Sequence, residues 1–454
     1  MSSSAPLSRD AFASTLGAFA ATLGSAIGLG NIWKFPYLTG SNGGAAFVLV
    51  YLLAVAFVGI PILVVEHTIG RKMRLNAVHA YGTVIPGQKF WTGVGLAGVA
   101  AAFLIMAFYT DVAGWVFAYV YKSFAAFLSG TTLDSKTFGA LAGGIWEPLL
   151  WQVGVLVLTT TIIASGVSKG IEKVTKALMP ALFILLIICD IRALTLPGAG
   201  AGVAYLFKPH LSKLTASIVL YALGLAFFKL SLGMGTMTTY GSYLPDDVRI
   251  VPNATKVALA DTAVSLLAGL AIFPAVFAFG GKPAGGPGLL FNTIPLIFSQ
   301  MPLGGLFTML FFVLTAIATI GAMVSLIEVP VAWIIEKGHM TRPAAATLTG
   351  VVMFALGVPS TLSQNPLLAN VKLCGKTFFD LFDFMSSNVL LPLGGLAIAI
   401  LGGWFLSRTE FKAEMNKGYA TEPWHGRLLF GILKFVTPIL ILLILLSSLG
   451  VIKI

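Results

Sequence analysis

Runs of about twenty apolar residues recur along this chain, and each is long enough to cross the hydrocarbon core of a bilayer as a helix. They fall near 12–38, 43–70, 91–127, 149–166, 174–196, 213–244, 256–281, 303–335, 343–358, 377–406 and 428–451. Inside lipid no water satisfies a free amide or carbonyl, so such a run must close its own hydrogen bonds. The sequence is 57% apolar and only 10% charged. That composition excludes a soluble globular domain, and the expectation is an all-α polytopic membrane protein.

Charge placement sets the expected orientation. Arg71, Lys72, Arg74 and Lys89 lie between the second and third runs, and Lys169, Lys173 and Lys176 between the fourth and fifth. Arg408, Lys412, Lys417 and Arg427 lie between the tenth and eleventh. By the positive-inside rule these loops are cytoplasmic, which puts the N-terminus inside and the C-terminus outside the cytoplasmic membrane. The formal net charge of +11 is accounted for in this way, and no nucleic-acid partner is implied. The first apolar run is too long and too rich in glycine for a cleaved signal peptide.

Little in the chain suggests an enzyme. Cys189 and Cys374 are the two cysteines, and they read as inert buried thiols rather than as a framework or metal cluster. No His/Cys ligand spacing, nucleophile elbow or phosphate loop is present, and the Gly-x-Gly pieces follow no strand.

Two of the runs are broken by glycine clusters near mid-membrane depth. One reads Gly24-Ser25-Ala26-Ile27-Gly28-Leu29-Gly30-Asn31 and the other Phe227-Phe228-Lys229-Leu230-Ser231-Leu232-Gly233-Met234-Gly235. A break exposes amides at one half-helix and carbonyls at the other, which is tolerated only where it lines a cavity. The amides favour a carboxylate and the carbonyls a cation, so two facing breaks make a site for a zwitterion. Close helix packing through small residues is the alternative for either cluster alone. Lys229 adds a charge that costs roughly 2.5–3.5 kcal/mol at the centre of a span, so it requires a partner.

These residues also carry a family resemblance. Gly28-Leu29-Gly30-Asn31-Ile32-Trp33-Lys34-Phe35-Pro36 and Asn42-Gly43-Gly44-Ala45-Ala46-Phe47 resemble the signature of the neurotransmitter:sodium symporter family. Ser168-Lys169-Gly170-Ile171-Glu172-Lys173, Leu230-Ser231-Leu232-Gly233-Met234-Gly235 and Phe379-Asp380-Leu381-Phe382-Asp383-Phe384 extend the match in order along the chain. The resemblance implies one transporter domain of two inverted five-helix repeats (about 11–196 and 213–406) plus a peripheral eleventh helix (about 428–451). Helices one and six of this fold are discontinuous, and the eleven-span form is similar to bacterial amino-acid transporters.

Position by position, the resemblance also implies a pocket. The substrate carboxylate would meet the amides of Leu29 and Gly30 and the hydroxyl of Tyr109. Its amine would meet the carbonyls of Ala26, Phe228 and Lys229 and the hydroxyl of Ser231. Ser25, Ile105, Tyr109, Phe228, Met234, Ala322 and Leu326 would line the side-chain subsite; Ile105 and Tyr109 stand one helical turn apart. Lys34 and Asp383 resemble an outer gate and Arg9 and Glu336 a cytoplasmic one, with Tyr109 and Phe228 as an aromatic lid. Gly170 and Pro180 are either an unwinding element or an ordinary helix start and kink.

The chain departs from the family at both sodium positions. At the first, Ala26 and Asn31 remain, but Lys229 replaces a hydroxyl-bearing residue, and Asp261 takes an asparagine position as its expected counter-charge. Ser265 fits a chloride-site serine, while Leu225 replaces a polar ligand, which argues against chloride. At the second, the oxygens would be the carbonyls of Gly24, Ile27 and Ala318 and two hydroxyls. Gly321 and Ala322 stand at the hydroxyl positions, and Thr319 or Ser325 would serve only in a shifted register.

Glu66, Asp111, Asp190 and Glu328 are functional candidates by their depth in the membrane. Interhelical hydrogen bonds are expected for Asp111 and Asp190, a proton or cation path for Glu328, and a packing role for His67. The expected function is secondary transport of an amino acid with an apolar or aromatic side chain, by alternating access, with Lys229 standing in for the first sodium. An ordinary sodium-coupled symporter and a transporter-like sensor are the alternatives. The implied partners are the amino acid and the lipid bilayer, with sodium the one ion in question.

Overall fold

The computed structural model describes residues 10–85, 87–134, 136–281, 288–338, 340–406, 408–419 and 424–452. Its apolar runs fold as helices. α1 (Thr15–Ala26) and α2 (Gly30–Ser41) form one crossing bent by 51°. They are followed by α3 (Ala45–Met73), α4 (Ala77–Val84), α5 (Lys89–Ser129), α6 (Trp146–Ala164) and α7 (Val167–Leu194). The interrupted run becomes α8 (Ala216–Lys229) and α9 (Thr236–Gly241). After these come α10 (Ile250–Ala278), α11 (Gly304–Glu336), α12 (Arg342–Leu362) and α13 (Phe378–Phe405). A short α14 (Arg408–Met415) precedes α15 (Gly426–Ser448).

Among the described residues, nine helices are long and apolar enough to cross a membrane, and the bent pair makes a tenth crossing. The remaining expected run, 213–244, is α8 with α9, each half too short to qualify alone. Local chemistry explains the starts and breaks. Ser14 caps α1 by accepting from the amide of Gly17, and Thr215 caps α8 by accepting from Ile218. Such side chains satisfy amides that the first turn leaves open. α1 stops because Ile27 is extended (φ −80°, ψ 117°). α8 stops because Ser231, Gly233 and Gly235 all take positive φ (53°, 80° and 78°). Ser231 has no glycine-like freedom there, a strain of about 1–2 kcal/mol of the kind that accumulates at functional sites. Gly233 is needed twice over, since a Cβ on it would stand 2.4 Å from the carbonyl oxygen of Leu391 on α13.

The face carrying the basic loops is laced by ion pairs. Arg71, at the end of α3, bonds Glu414 on α14 and donates to the carbonyl of Val248. Lys72 pairs with Glu410, and Asp246 lies between Arg74 and Lys417. Lys417 first and then Arg74 hold the Asp246 carboxyl below its ordinary range.

Candidate functional site

The two breaks face each other across one cavity. Ser25, Ala26 and Gly30 come from the first break, and Phe228, Lys229, Ser231 and Met234 from the second. Ile105 and Tyr109 of α5 and Ala322 and Leu326 of α11 complete the wall. Leu29 is absent from the lining, but its amide donates to the Tyr109 hydroxyl over 3.0 Å. Gly28 of the first break also lines the cavity, although the resemblance assigns it no substrate contact. The breaks are tied directly: the Ser231 hydroxyl donates to the carbonyl of Ser25 at 3.0 Å. The Ser25 hydroxyl itself has no hydrogen-bond partner among the described residues.

Lys229 turns away from that cavity into a buried polar cluster. Its ammonium lies 3.0 Å from Asp261 Oδ2, with both side chains fully buried. It also bonds the Tyr51 hydroxyl at 2.7 Å and the Ser265 hydroxyl. Three acceptors match the three donors of an ammonium, so no N–H is left over. Asn31 closes the cluster from the other side. Its amide nitrogen donates to Asp261 Oδ1 (2.7 Å), Asp261 O and Ser265 Oγ, while its oxygen accepts from Gly28 N at 3.1 Å. The side chain that the resemblance assigns to a sodium ion therefore presents its nitrogen to a carboxylate. Leu225 is buried nearby on α8 and offers no polar atom. Tyr51 was missed, because a tyrosine in an apolar run reads like any core aromatic.

The helices that the resemblance places around the second ion position meet through backbone. A Cβ on Gly321 would stand 2.4 Å from the carbonyl oxygen of Gly24, so α1 and α11 touch through backbone at this point. Ala322 supplies only a methyl group to the cavity wall. The hydroxyls of Thr319 and Ser325 bond back to Thr315 O and Ala322 O of their own helix. Gly321 and Ala322 offer the carbonyls of Gly24, Ile27 and Ala318 no side-chain oxygen, while the Thr319 and Ser325 hydroxyls donate to their own helix and keep their lone pairs.

Lys34 and Asp383 form an ion pair of 2.9 Å above the cavity, and the Lys34 ammonium sits 3.9 Å from the centre of the Phe228 ring. Beyond them, away from the basic loops, opens a vestibule lined by Trp33, Tyr37, Tyr221 and Asp380. On the basic-loop side the path is shut. Arg342 holds Glu328 through two bonds (2.8 and 3.0 Å) and reaches Asp10, and the Tyr243 hydroxyl donates to Glu328 at 2.6 Å. Glu328 is therefore an ion-paired group rather than an open cation path. Glu336 accepts from the Asn76 amide and pairs with His79 at 3.2 Å; Arg9 lies outside the described residues. Glu172 accepts from Ala13 N and Ser14 Oγ, which pins the start of α1 to α7.

The remaining candidates divide. Asp111 accepts from Gln152, Ser360 and Thr361, an interhelical tie among α5, α6 and α12. Asp190, expected to do the same, has no partner on either oxygen among the described residues, because no donor from a neighbouring helix reaches its turn of α7. Glu66 accepts from the amide of Gly233 at 2.7 Å and so holds the second break in shape. His67 is fully buried against Gly241, as a packing residue would be. Gly170 lies in a wide turn at the start of α7, with room for no Cβ beside Ile162 O, and Pro180 sits inside that helix. Cys189 is buried, but Cys374 is exposed, since it falls in a turn outside the apolar runs.

Comparison with known proteins agrees with this architecture. An uncharacterised sodium-dependent transporter of Bacillus subtilis is 42% identical over 446 residues, 97% of this chain and 98% of that protein. Another from Haemophilus influenzae is 37% identical over 439 residues, 94% and 95% of the two chains. The crystal structure of MhsT in complex with L-phenylalanine superposes with a TM-score of 0.89 at 44% identity, covering 97% of this chain and all of that one. The relatives are transporters and not enzymes, and the fold of inverted repeats with two discontinuous helices is shared. Residues 9–138 and 143–453 match the family model described as Sodium:neurotransmitter symporter family, and the chain belongs to that family.

Proposed function

We propose that the chain carries an amino acid with an apolar or aromatic side chain across the cytoplasmic membrane, with little or no dependence on sodium. The observation that carries this reading is the Lys229–Asp261 pair beside the cavity, 3.0 Å apart and fully buried. Its ammonium fills the place that the family resemblance gives to the first ion, where a second cation would be repelled. Ile105, Met234, Ala322 and Leu326 give the cavity an apolar wall suited to such a side chain. The bound phenylalanine of MhsT, a relative of the same fold, supports that substrate class.

The zwitterion would enter from the vestibule past Lys34 and Asp383. Its carboxylate would take the Leu29 and Gly30 amides and the Tyr109 hydroxyl, and its amine the carbonyls of Ala26, Phe228 and Lys229 with Ser231 Oγ. Opening toward the basic loops requires the Glu328–Arg342 pair and the Glu172 contacts to part while the Lys34–Asp383 pair holds, which is alternating access. The basic loops support a cytoplasmic N-terminus and an external C-terminus.

A sodium-coupled symporter remains the second reading, favoured by the relatives described as sodium-dependent. Uptake of labelled L-phenylalanine into proteoliposomes separates the two. Replacing sodium by potassium on both sides should change the initial rate by less than about two-fold, since a lysine cannot be dialysed away. A fall of ten-fold or more would overturn the built-in cation.

A further inference from the structure

We propose that the groove between α3, α10 and α15, on the side of the basic loops, holds one anionic phospholipid, with its phosphate on Lys256 and an acyl chain running toward Thr437. The inference stands apart from the amino-acid reading and needs only that the chain crosses a bilayer.

The groove begins at a proline. Pro61 lacks an amide, so the carbonyl of Phe57, four residues earlier, loses its ordinary partner within α3. The Thr437 hydroxyl of α15 donates to that carbonyl at 2.8 Å and ties the two helices together. Both helices widen into a π turn beside the tie, at Val55–Gly59 and Ile432–Val436. From there toward the basic loops, Ala56, Pro61, Leu428, Leu429 and Ile432 line an apolar groove, with Val251 of α10 along its third side.

The polar members of the lining gather at one end. Lys256 stands about 9 Å along α10 from its first residue, Ile250, whereas Pro61 lies about 18 Å from the end of α3 at Met73. Trp424, one turn before Leu428, is exposed, as a ring at the membrane interface would be. The groove is therefore amphipathic along the bilayer normal, as a phospholipid is. Any apolar groove facing lipid takes up an acyl chain, so its specificity lies in the headgroup. Lys256 is exposed and forms no ion pair or hydrogen bond among the described residues. An ammonium at that depth needs acceptors for three donors, and a lipid phosphate supplies them while the apolar stem lies along the groove. Arg427, exposed on α15 and also without an ion pair among the described residues, brings a second cation to the same end. Two cations without a carboxylate favour a headgroup of net negative charge over one that carries its own ammonium.

The test uses the full-length protein in phosphatidylcholine vesicles titrated with brominated phosphatidylglycerol or brominated phosphatidylcholine, the bromines sitting high on the acyl chain, where they quench a neighbouring tryptophan. Subtracting the signal of Trp424→Phe leaves the share of the fluorescence that belongs to Trp424. Brominated phosphatidylglycerol should quench that share at roughly five-fold lower mole fraction than brominated phosphatidylcholine, the size of one lysine's attraction to an anionic lipid. Lys256→Gln should bring the two lipids together, Lys256→Arg should keep them apart, and millimolar glycerol phosphate should displace nothing, because head and chain bind together. Equal quenching by the two lipids in the parent would overturn the inference, as would a preference that survives in Lys256→Gln. Displacement by glycerol phosphate would reject a lipid as the occupant. A Trp424 share that neither lipid quenches would do the same, and is the result expected if a second copy of the chain covers the groove.

Discussion

Asp261→Ala is expected to abolish uptake and to cost the folded protein about 3–5 kcal/mol, the usual result of removing one partner of a buried ion pair. The reason is asymmetry. Lys229 and Asp261 are both fully buried, so their attraction does little more than offset the loss of hydration, and the pair adds little net stability. Without the carboxylate the ammonium stays in a dry place with only two hydroxyls, and Asn31 loses the acceptor that orients it. The double variant Lys229→Thr with Asp261→Asn removes both charges and restores the residue types that the family resemblance assigns here. It should recover most of the lost stability and should make uptake depend on sodium by ten-fold or more. Denaturation midpoints of the purified protein, read with uptake in sodium and in potassium, check both halves. A single variant as stable as the parent would show that Lys229 carries no charge in the folded protein. A double variant as damaged as the single one would show that the cluster matters for packing and not for charge.

The parts of this site that were legible in the sequence share one property: they are expensive in lipid. Glycine clusters inside apolar runs expose backbone that must line something, and so Gly24–Asn31 and Phe227–Gly235 mark the cavity in the sequence itself. A lysine at the same depth demanded an acid, and Asp261 was the acid found. Residues that cost nothing locally left no trace. Tyr51 is chemically ordinary in its run and becomes informative only when α3 brings it to the ammonium. Arg342 lies at a helix start beyond the turn that follows α11, and nothing in the sequence says that it folds back on Glu328 instead of facing water. Asp190 failed in the opposite sense. A buried acid was expected to find a donor on a neighbouring helix, and whether one stands opposite depends on helix rotation, which these nearly uniform apolar runs do not encode. The close approach at Gly321 lies between these cases. The missing hydroxyl was visible, but the backbone contact with Gly24 that takes its place needed the helix crossing itself.

Tyr109→Phe is expected to raise the phenylalanine concentration for half-maximal uptake by about 10- to 100-fold with little change in the amount of folded protein. Tyr109 is buried, and its ring packs in the cavity wall beside Ile105. Phenylalanine keeps that ring and removes one oxygen. With the cavity as described, that oxygen accepts from the Leu29 amide at 3.0 Å, so the hydroxyl occupies the acceptor position of an arriving carboxylate. On the proposed reading, binding would release the amide to the carboxylate and turn the hydroxyl to donate to it as well. A hydrogen bond to a charged group is worth about 1.5–3 kcal/mol, which sets the size of the expected change. The readout must separate recognition from packing, so the same variant is assayed with phenylalaninamide as a competitor. The parent should prefer phenylalanine to the amide strongly, and Tyr109→Phe should lose most of that preference because the removed group reads the carboxylate. If both ligands weaken equally, the hydroxyl only shapes the cavity. If neither weakens, the carboxylate is bound elsewhere, and the pairing of the two broken helices around a zwitterion fails with it.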